Sequence, residues 1–265
     1  MRALIKALLV LAVACGSPLY AGRELTSDRP DATESPFTVE PGRAQLEASF
    51  AAYTQDRHNP EREDILVTTW SYAPVNLRVG LTPRAEVQVM VDSFTETKID
   101  ERIAGGQERV RGFGDVTLRA KWNFWGNDGG TTAFGVMPFV KLPTAKRGLG
   151  NDALEGGVIL PFAADFGGGW GFGAMTELDV IRNRADDGHT AAWINTATLS
   201  RELTRRLGMF VELACEVGEG RPVWGANSGF TWAVNEDLQL DVGVNMGLTR
   251  SADDLTLFTG FVKRF

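Results

Sequence analysis

Cysteine and histidine are close to absent from this chain. Its 265 residues include two of each, Cys15 and Cys215, His58 and His189, which excludes the disulfide lattice of a small exported domain. No HExxH or CxxC spacing occurs, so no metal site and no cofactor are expected. Long apolar runs are missing too. Past Gly22 no stretch reaches the roughly 18 apolar residues that a spanning helix needs. Basic residues are outnumbered, 27 Lys and Arg against 34 Asp and Glu, for a net charge of −7. No linear basic patch offsets that balance, so nucleic acid is not an expected partner. The charges are interspersed, which argues against a disordered acidic tail.

What the chain does have is 30 glycines, nine per cent aromatics and alternation, a composition that points to an all-β protein with many turns. It begins with a targeting segment. Met1-Arg2 and Lys6 give a positive start, Ala7 to Ala14 an apolar stretch, and Leu19-Tyr20-Ala21 a small-residue exit before Gly22. Residues 1–21 therefore read as a signal peptide. A buried first helix and lipidation at Cys15 are the other readings, though Leu11 sits one place too early for a lipoprotein box. After cleavage only Cys215 remains, so no bond can form within the mature chain. Stability has to come from elsewhere, and a sheet closed on itself, without free edges, supplies it.

Segments of about ten residues repeat a period of two. In 85–92, Ala85, Val87, Val89 and Val91 alternate with Glu86, Gln88 and Asp92. In 115–124, Val116, Leu118, Ala120, Trp122 and Phe124 oppose Asp115, Thr117, Arg119, Lys121 and Asn123. In 238–249, Leu238, Leu240, Val242, Val244, Met246 and Leu248 oppose Gln239, Asp241, Asn245 and Thr249. The polar faces carry Gly, Asn, Thr and isolated charges, and the apolar faces end in rings such as Trp70, Tyr72, Trp122, Phe124, Trp170, Trp232 and Phe265. That polarity suits a lumen on one side and lipid on the other. Twelve strands are predicted, over 43–53, 64–80, 85–94, 112–123, 131–142, 153–164, 170–182, 190–200, 208–217, 223–234, 238–248 and 255–265. The second contains Pro74 and is expected to kink there or to run beyond the membrane. The eighth is the least clean, since Asn195 shares a face with Trp193 and Leu199.

The connections alternate in length. Long ones are expected at 54–63, 95–111, 143–152, 183–189, 218–222 and 250–254, and short ones at 82–84, 125–130, 165–169, 201–207 and 235–237. The reading is an antiparallel up-and-down transmembrane β-barrel of about 12 strands, of the bacterial outer-membrane type. It spans 43–265, with both ends in the periplasm. Gly167 to Gly173, Asn127 to Gly130 and Asp186 to Gly188 read as turns: the first feeds a strand rather than the helix end that would hold phosphate, and the others lack the ligand ladder of a calcium loop.

On this alternation the lumen receives Glu47, Glu86, Asp92, Asp115, Glu177, Asp179, Glu212, Glu216 and Asp241, against Arg78, Arg119, Lys121 and Lys141. Two readings compete: an acid-leaning pore for cations or neutral polar solutes, and an ion-pair network filling a narrow barrel. Ahead of the barrel, residues 22–42 include the run Thr26 to Pro36, with four charges and two prolines. Such a run is neither helix nor central strand. Its Asp28, Arg29, Asp31 and Glu34 either enter the barrel and pair with Arg78 or Arg119 as a plug, or extend into the periplasm. At the other end, Thr259-Gly260-Phe261-Val262-Lys263-Arg264-Phe265 resembles the C-terminal signal of outer-membrane barrels through Gly260, Phe261 and Phe265. Lys263 departs from it where an aromatic is usual.

Thr26 to Pro36 followed by Val39 to Glu47, together with Leu77-Arg78-Val79-Gly80-Leu81-Thr82-Pro83-Arg84-Ala85-Glu86, Gly112-Phe113-Gly114-Asp115-Val116 and Val140-Lys141-Leu142-Pro143-Thr144, resembles the outer-membrane family labelled for the MetA pathway of phenol degradation. The resemblance covers most of the mature chain. It implies a channel-forming barrel in the outer membrane, with outer-membrane lipid, the barrel assembly machinery and a small solute as partners. It implies no particular solute. A lipid hydrolase needs a base beside its nucleophile. Both histidines fall in expected loops, and neither has a serine two places away, so no catalytic residues are expected. The alternatives are a non-conducting barrel that binds a partner and a soluble periplasmic all-β protein. Cell fractionation decides the last: the chain is expected to stay with membranes until detergent is added and to show heat-modifiable gel mobility. Full extraction into detergent-free buffer would contradict the barrel.

Overall fold

The computed structural model describes residues 23–57, 59–60, 65–101, 106–183 and 188–265. The signal peptide with Cys15, His58 and the Asp186-Asp187 turn lie outside them. The described chain forms β1 (Ala44–Asp56), β2 (Leu66–Tyr72), β3 (Val75–Thr82), β4 (Ala85–Val91), β5 (Phe94–Glu101), β6 (Gly106–Phe113), β7 (Val116–Trp125) and β8 (Thr132–Leu142). It continues through β9 (Glu155–Gly167), β10 (Trp170–Arg182), β11 (His189–Glu202), β12 (Leu207–Val217), β13 (Val223–Asn235), β14 (Leu238–Gly247) and β15 (Leu255–Arg264). Among the described residues the strands pair antiparallel throughout, and β15 returns to pair with β1, so the sheet closes.

β2 with β3, β4 with β5, and β6 with β7 are each one strand interrupted by a bend, giving a twelve-strand wall. The first bend is at Ala73-Pro74, where Ala73 takes φ 49° and Pro74 has no N–H for the ladder. The other two lock together, because the Gly114 N–H donates to the Asp92 carbonyl at 2.7 Å. A Cβ on Gly114 would strike the Asp92 side chain.

Two expectations need correction. Residues 95–111 are not an irregular loop, since β5 and β6 extend through most of them. These strands project past the membrane and carry polar residues on both faces, so the amphipathic alternation that marks a buried strand is missing. Hairpin hydrogen bonds hold them instead. His189 likewise opens β11 rather than lying in a loop, and its Nε2 is 3.0 Å from the Leu154 carbonyl oxygen.

The barrel is inside out relative to a soluble protein. Leu118, Trp122, Phe124, Leu199, Leu213, Val242 and Leu257 are exposed on its outer face, while Glu47, Arg78, Glu86 and Lys121 are among its most buried side chains. Among the described residues one interior cluster is apolar, Met137, Ile159 and Met175 with Phe139 and Ile194 beside it. Outer rings form a continuous row across four strands: Tyr53 to Trp70 at 4.9 Å, Trp70 to Tyr72 at 6.1 Å, Tyr72 to Phe94 at 6.4 Å and Phe94 to Phe113 at 6.0 Å between centroids. This is an interfacial girdle at the loop end. Trp122, Trp125, Trp170 and Trp232 are exposed toward the turn end. Leu213 lies midway along the lipid face of β12. Leu213→Arg is expected to lower the unfolding free energy by about 2–4 kcal/mol in lipid vesicles, measured by urea titration. An unchanged midpoint would place that face away from lipid.

Candidate functional site: the filled lumen

Residues 23–40 leave the turn end, enter the lumen and return to the turn end. The Arg23 N–H donates to Glu40 Oε1 at 2.8 Å, and Arg264 Nη1 donates to the Arg23 carbonyl at 2.7 Å and to Glu40 Oε1 at 3.3 Å. The segment crosses the lumen as an irregular loop. Pro30 and Pro36 deny it ladder donors, and the Ser35 N–H instead donates to Asp28 Oδ1 at 3.1 Å.

Asp28 is the first anchor. Its Oδ1 accepts from Lys121 Nζ at 2.6 Å, and its Oδ2 accepts from Gln88 Nε2 at 2.8 Å and lies 3.4 Å from Arg78 Nη1. Arg78 also donates to Glu47 Oε1 at 2.8 Å, Glu86 Oε1 at 3.0 Å and the Phe37 carbonyl at 2.9 Å. The Val39 N–H donates to Glu86 Oε2 at 2.6 Å. The Arg78 and Lys121 side chains are 0% exposed. Burying ions this completely costs several kcal/mol each, so the network persists only because every partner is present.

Arg29 is the second anchor. It grips Asp241 with two donors, at 3.1 and 2.7 Å, reaches Ser49 Oγ at 2.8 Å and lies 5.8 Å from the Phe258 ring centroid. Around Thr33, the Ala32 and Thr33 N–H groups donate to the two Glu212 oxygens at 3.0 and 2.8 Å. Thr33 Oγ1 meets Thr196 Oγ1 at 2.6 Å and Thr198 Oγ1 at 2.8 Å. Asn227 Nδ2 supports Glu212 at 2.5 Å. Glu34 accepts from Arg119 Nη1 at 2.5 Å, and its N–H points at the Met175 sulfur at 3.3 Å.

Asp28 thus meets Arg78 and Glu34 meets Arg119, but the other two expected pairings are different. Arg29 binds Asp241, because a cation finds its partner in a carboxylate. Asp31, half-buried, lies beside Glu212 and Thr198 rather than against an arginine. Glu177 lies close to Asp179 and Arg119. Nearer the loop end, Asp115 Oδ1 accepts from the Thr144 and Ala145 N–H groups at 3.0 and 2.8 Å, and Lys141 bridges Asp115 and Glu155 at 3.6 and 3.1 Å. Asp115 anchors a loop and does not face an open pore. Asp92 sits exposed at its bend, and Glu216 is exposed.

Glu40, Arg264, Gln45, Ser49, Gln88, Thr196, Thr198 and Asn227 belong to this network and were not among the expected site residues. The hydroxyls of 196 and 198 sit on the strand whose alternation was least clean. Gly80 and Gly260 carry a further signal, glycine at luminal positions of regular strands. A Cβ on Gly80 would collide with the Glu40 carbonyl, and one on Gly260 with the Arg29 guanidinium. Gly260, expected as part of the assembly signal, therefore also makes room for Arg29. Phe261 lies on the lipid face, 5.2 Å from the Phe50 ring, and the Phe265 N–H donates to the Ala44 carbonyl at 2.8 Å while its ring stays exposed. At the turn end, Arg264 donates to Asp237 Oδ1 at 2.8 Å, and that hydrogen bond holds the Asp237 carboxyl below the usual carboxylate range.

Luminal side chains around the whole waist are nearly inaccessible: Glu47, Gln88 and Lys121 on one side, Met137 and Ile159 on another, Glu212 and Asp241 on a third. Below the waist a cavity of about 1170 Å³ opens at the turn end, with Glu24, Asp31, Ser200, Thr231 and Gln239 among its lining residues.

The family model described as "Putative MetA-pathway of phenol degradation" matches residues 27–265. No curated protein matches the chain in sequence. Among solved structures, an outer membrane channel from Pseudomonas putida F1 is similar over 91% of this chain and 100% of its own, at TM-score 0.67 and 13% identity. The NanC porin is similar over 83% of this chain and 98% of its own, at TM-score 0.52 and 8% identity. The beta domain of the Bordetella autotransporter BrkA is similar over 84% and 99%, at TM-score 0.51 and 12% identity. These likenesses establish the fold as a bacterial outer-membrane barrel.

Removing Arg78 leaves Glu47, Glu86 and Asp28 buried with Lys121 as the remaining ion-pair partner of Asp28 and Glu86 among the described residues. Arg78→Met is expected to cost about 3–5 kcal/mol of stability in urea titration. It is also expected to expose residue 27 to a water-soluble thiol reagent in a Ser27→Cys, Cys215→Ser background. Wild-type stability with residue 27 still protected would contradict the network's role.

Proposed function

The chain belongs to the family described as "Putative MetA-pathway of phenol degradation", and from that premise we propose that it is an outer-membrane channel for passive passage of small solutes, held closed in this state by residues 23–40. The observation that carries this reading is the waist, where the segment's charges and amides occupy the polar groups that a solute would otherwise meet. Similarity to an outer membrane channel and a porin supports it at the level of fold. Luminal carboxylates outnumber cations, so the open state would favour cations and neutral polar solutes through its field. The segment's ties are ion pairs and hydrogen bonds rather than apolar packing, a kind of contact that can be exchanged for water. We read no enzyme here: His189, the described histidine, faces a backbone carbonyl at the loop end instead of a nucleophile. Insertion by the barrel assembly machinery would use the Gly260 to Phe265 end, and lipid would contact the outer rings.

The same filled waist also favours a second reading, a barrel that does not conduct. Two measurements separate them. Deleting residues 23–36 is expected to raise single-channel conductance in planar bilayers and to change open-state noise; no change in either would overturn the plug. Liposome swelling against sugars, phenols and ions is expected to report uptake of at least one solute class. Impermeability of both the full and the truncated chain to the whole panel would favour the non-conducting barrel.

A further inference from the structure

Three cations that are scattered in sequence come together on the outer face of the projecting hairpin. Lys98 stands directly opposite Arg109 across β5 and β6, and Arg111 stands opposite Glu96. Lys98, Arg109 and Arg111 are all exposed. Like charges directly opposite one another destabilise a strand pair. Among the described residues Glu96 is the carboxylate paired with them: it forms the ion pair with Arg109 and lies 3.7 Å from Lys98 Nζ. The next carboxylate on that face, Asp100, is two residues further out than Lys98. Among the described residues that face carries three cations against two carboxylates, Glu96 and Asp100, a locally positive strip on a chain whose net charge is −7.

The height of the strip identifies what it meets. The rings of Phe94 and Phe113 close the girdle immediately below it. Strands rise about 3.3 Å per residue and tilt by about 40° in such barrels. Arg111, two residues above Phe113, then lies about 5 Å above the ring row, and Lys98 and Arg109, four residues up, about 10 Å. The polar layer of a bilayer is about 5–8 Å thick on each side. The strip spans that layer and its outer edge, where lipid phosphates sit. Guanidinium groups match phosphate with paired donors.

We propose that Lys98, Arg109 and Arg111 form a binding site for the phosphate groups of outer-leaflet lipids, which add counter-charge to a like-charged Lys98–Arg109 pair that shares the carboxylate of Glu96. The site is independent of whether the lumen conducts. The test is native mass spectrometry of the full barrel in non-ionic detergent, titrated with bis-phosphorylated lipid A or with the same lipid dephosphorylated. Wild type is expected to bind the phosphorylated lipid at least tenfold more tightly. K98Q/R109Q/R111Q is expected to lose that difference, and R205Q/R206Q, at a turn on the opposite end, to keep it. Heat-modifiable mobility checks that the triple variant folds. Should it not fold, R111Q, which removes no ion pair found among the described residues, is expected to weaken binding about threefold by loss of one surface contact worth somewhat under 1 kcal/mol. Equal binding of both lipids to wild type, unchanged binding by the triple variant, or stronger competition from an acidic peptide than from the lipid would each overturn the proposal.

Discussion

A guanidinium with no access to water sits inside this barrel, and much of the lumen is arranged to make that tolerable. Arg78 is surrounded by Glu47, Glu86 and Asp28 and by the carbonyl of Phe37. Two of these partners come from the wall and two from the N-terminal segment. Without the segment, the wall would leave Lys121 short of its closest carboxylate, Asp28. With it, Lys121 and Asp28 meet at 2.6 Å. The segment's position follows from electrostatics, because an irregular, proline-bearing run has no other way to fix itself.

Closure of the sheet makes this arrangement possible. A membrane barrel satisfies its backbone groups strand to strand, which frees the inward side chains for other work. The outer face buries apolar residues in lipid, and the interior can be polar without losing the driving force for assembly. Glycine at luminal positions such as 80 and 260 then lowers the wall to admit a second layer of chain. The bends near Pro74, Asp92 and Gly114 let three strands change course at the girdle and continue beyond it.

Alternation made the wall legible in the sequence, since lipid and lumen impose opposite polarities on successive residues. The turn ends were legible because Gly, Pro and Asn mark them. β5 and β6 were not, because beyond the membrane both faces meet water and the period-two signal vanishes. The Asp28 and Glu34 pairings could be anticipated from charge sign and proximity to the lumen. The Asp241 partner of Arg29 and the Glu212 acceptor of the Ala32 N–H could not, since they lie about two hundred residues away in sequence, a separation that only the strand register resolves. The apolar cluster of Met137, Ile159 and Met175 was hidden for a related reason: residues that are apolar on both faces of a strand look the same from either side.

The central claim is that residues 23–40 close the channel and must shift for it to open. The Thr33 and Thr198 hydroxyls, 2.8 Å apart, give the most direct handle on it. In a Thr33→Cys, Thr198→Cys, Cys215→Ser barrel, oxidation would tie the segment to the wall without removing any ion pair. Single-channel recording is expected to show no openings in the oxidised state and their return after reductant is added. Oxidised protein that conducts like the reduced form would contradict the account.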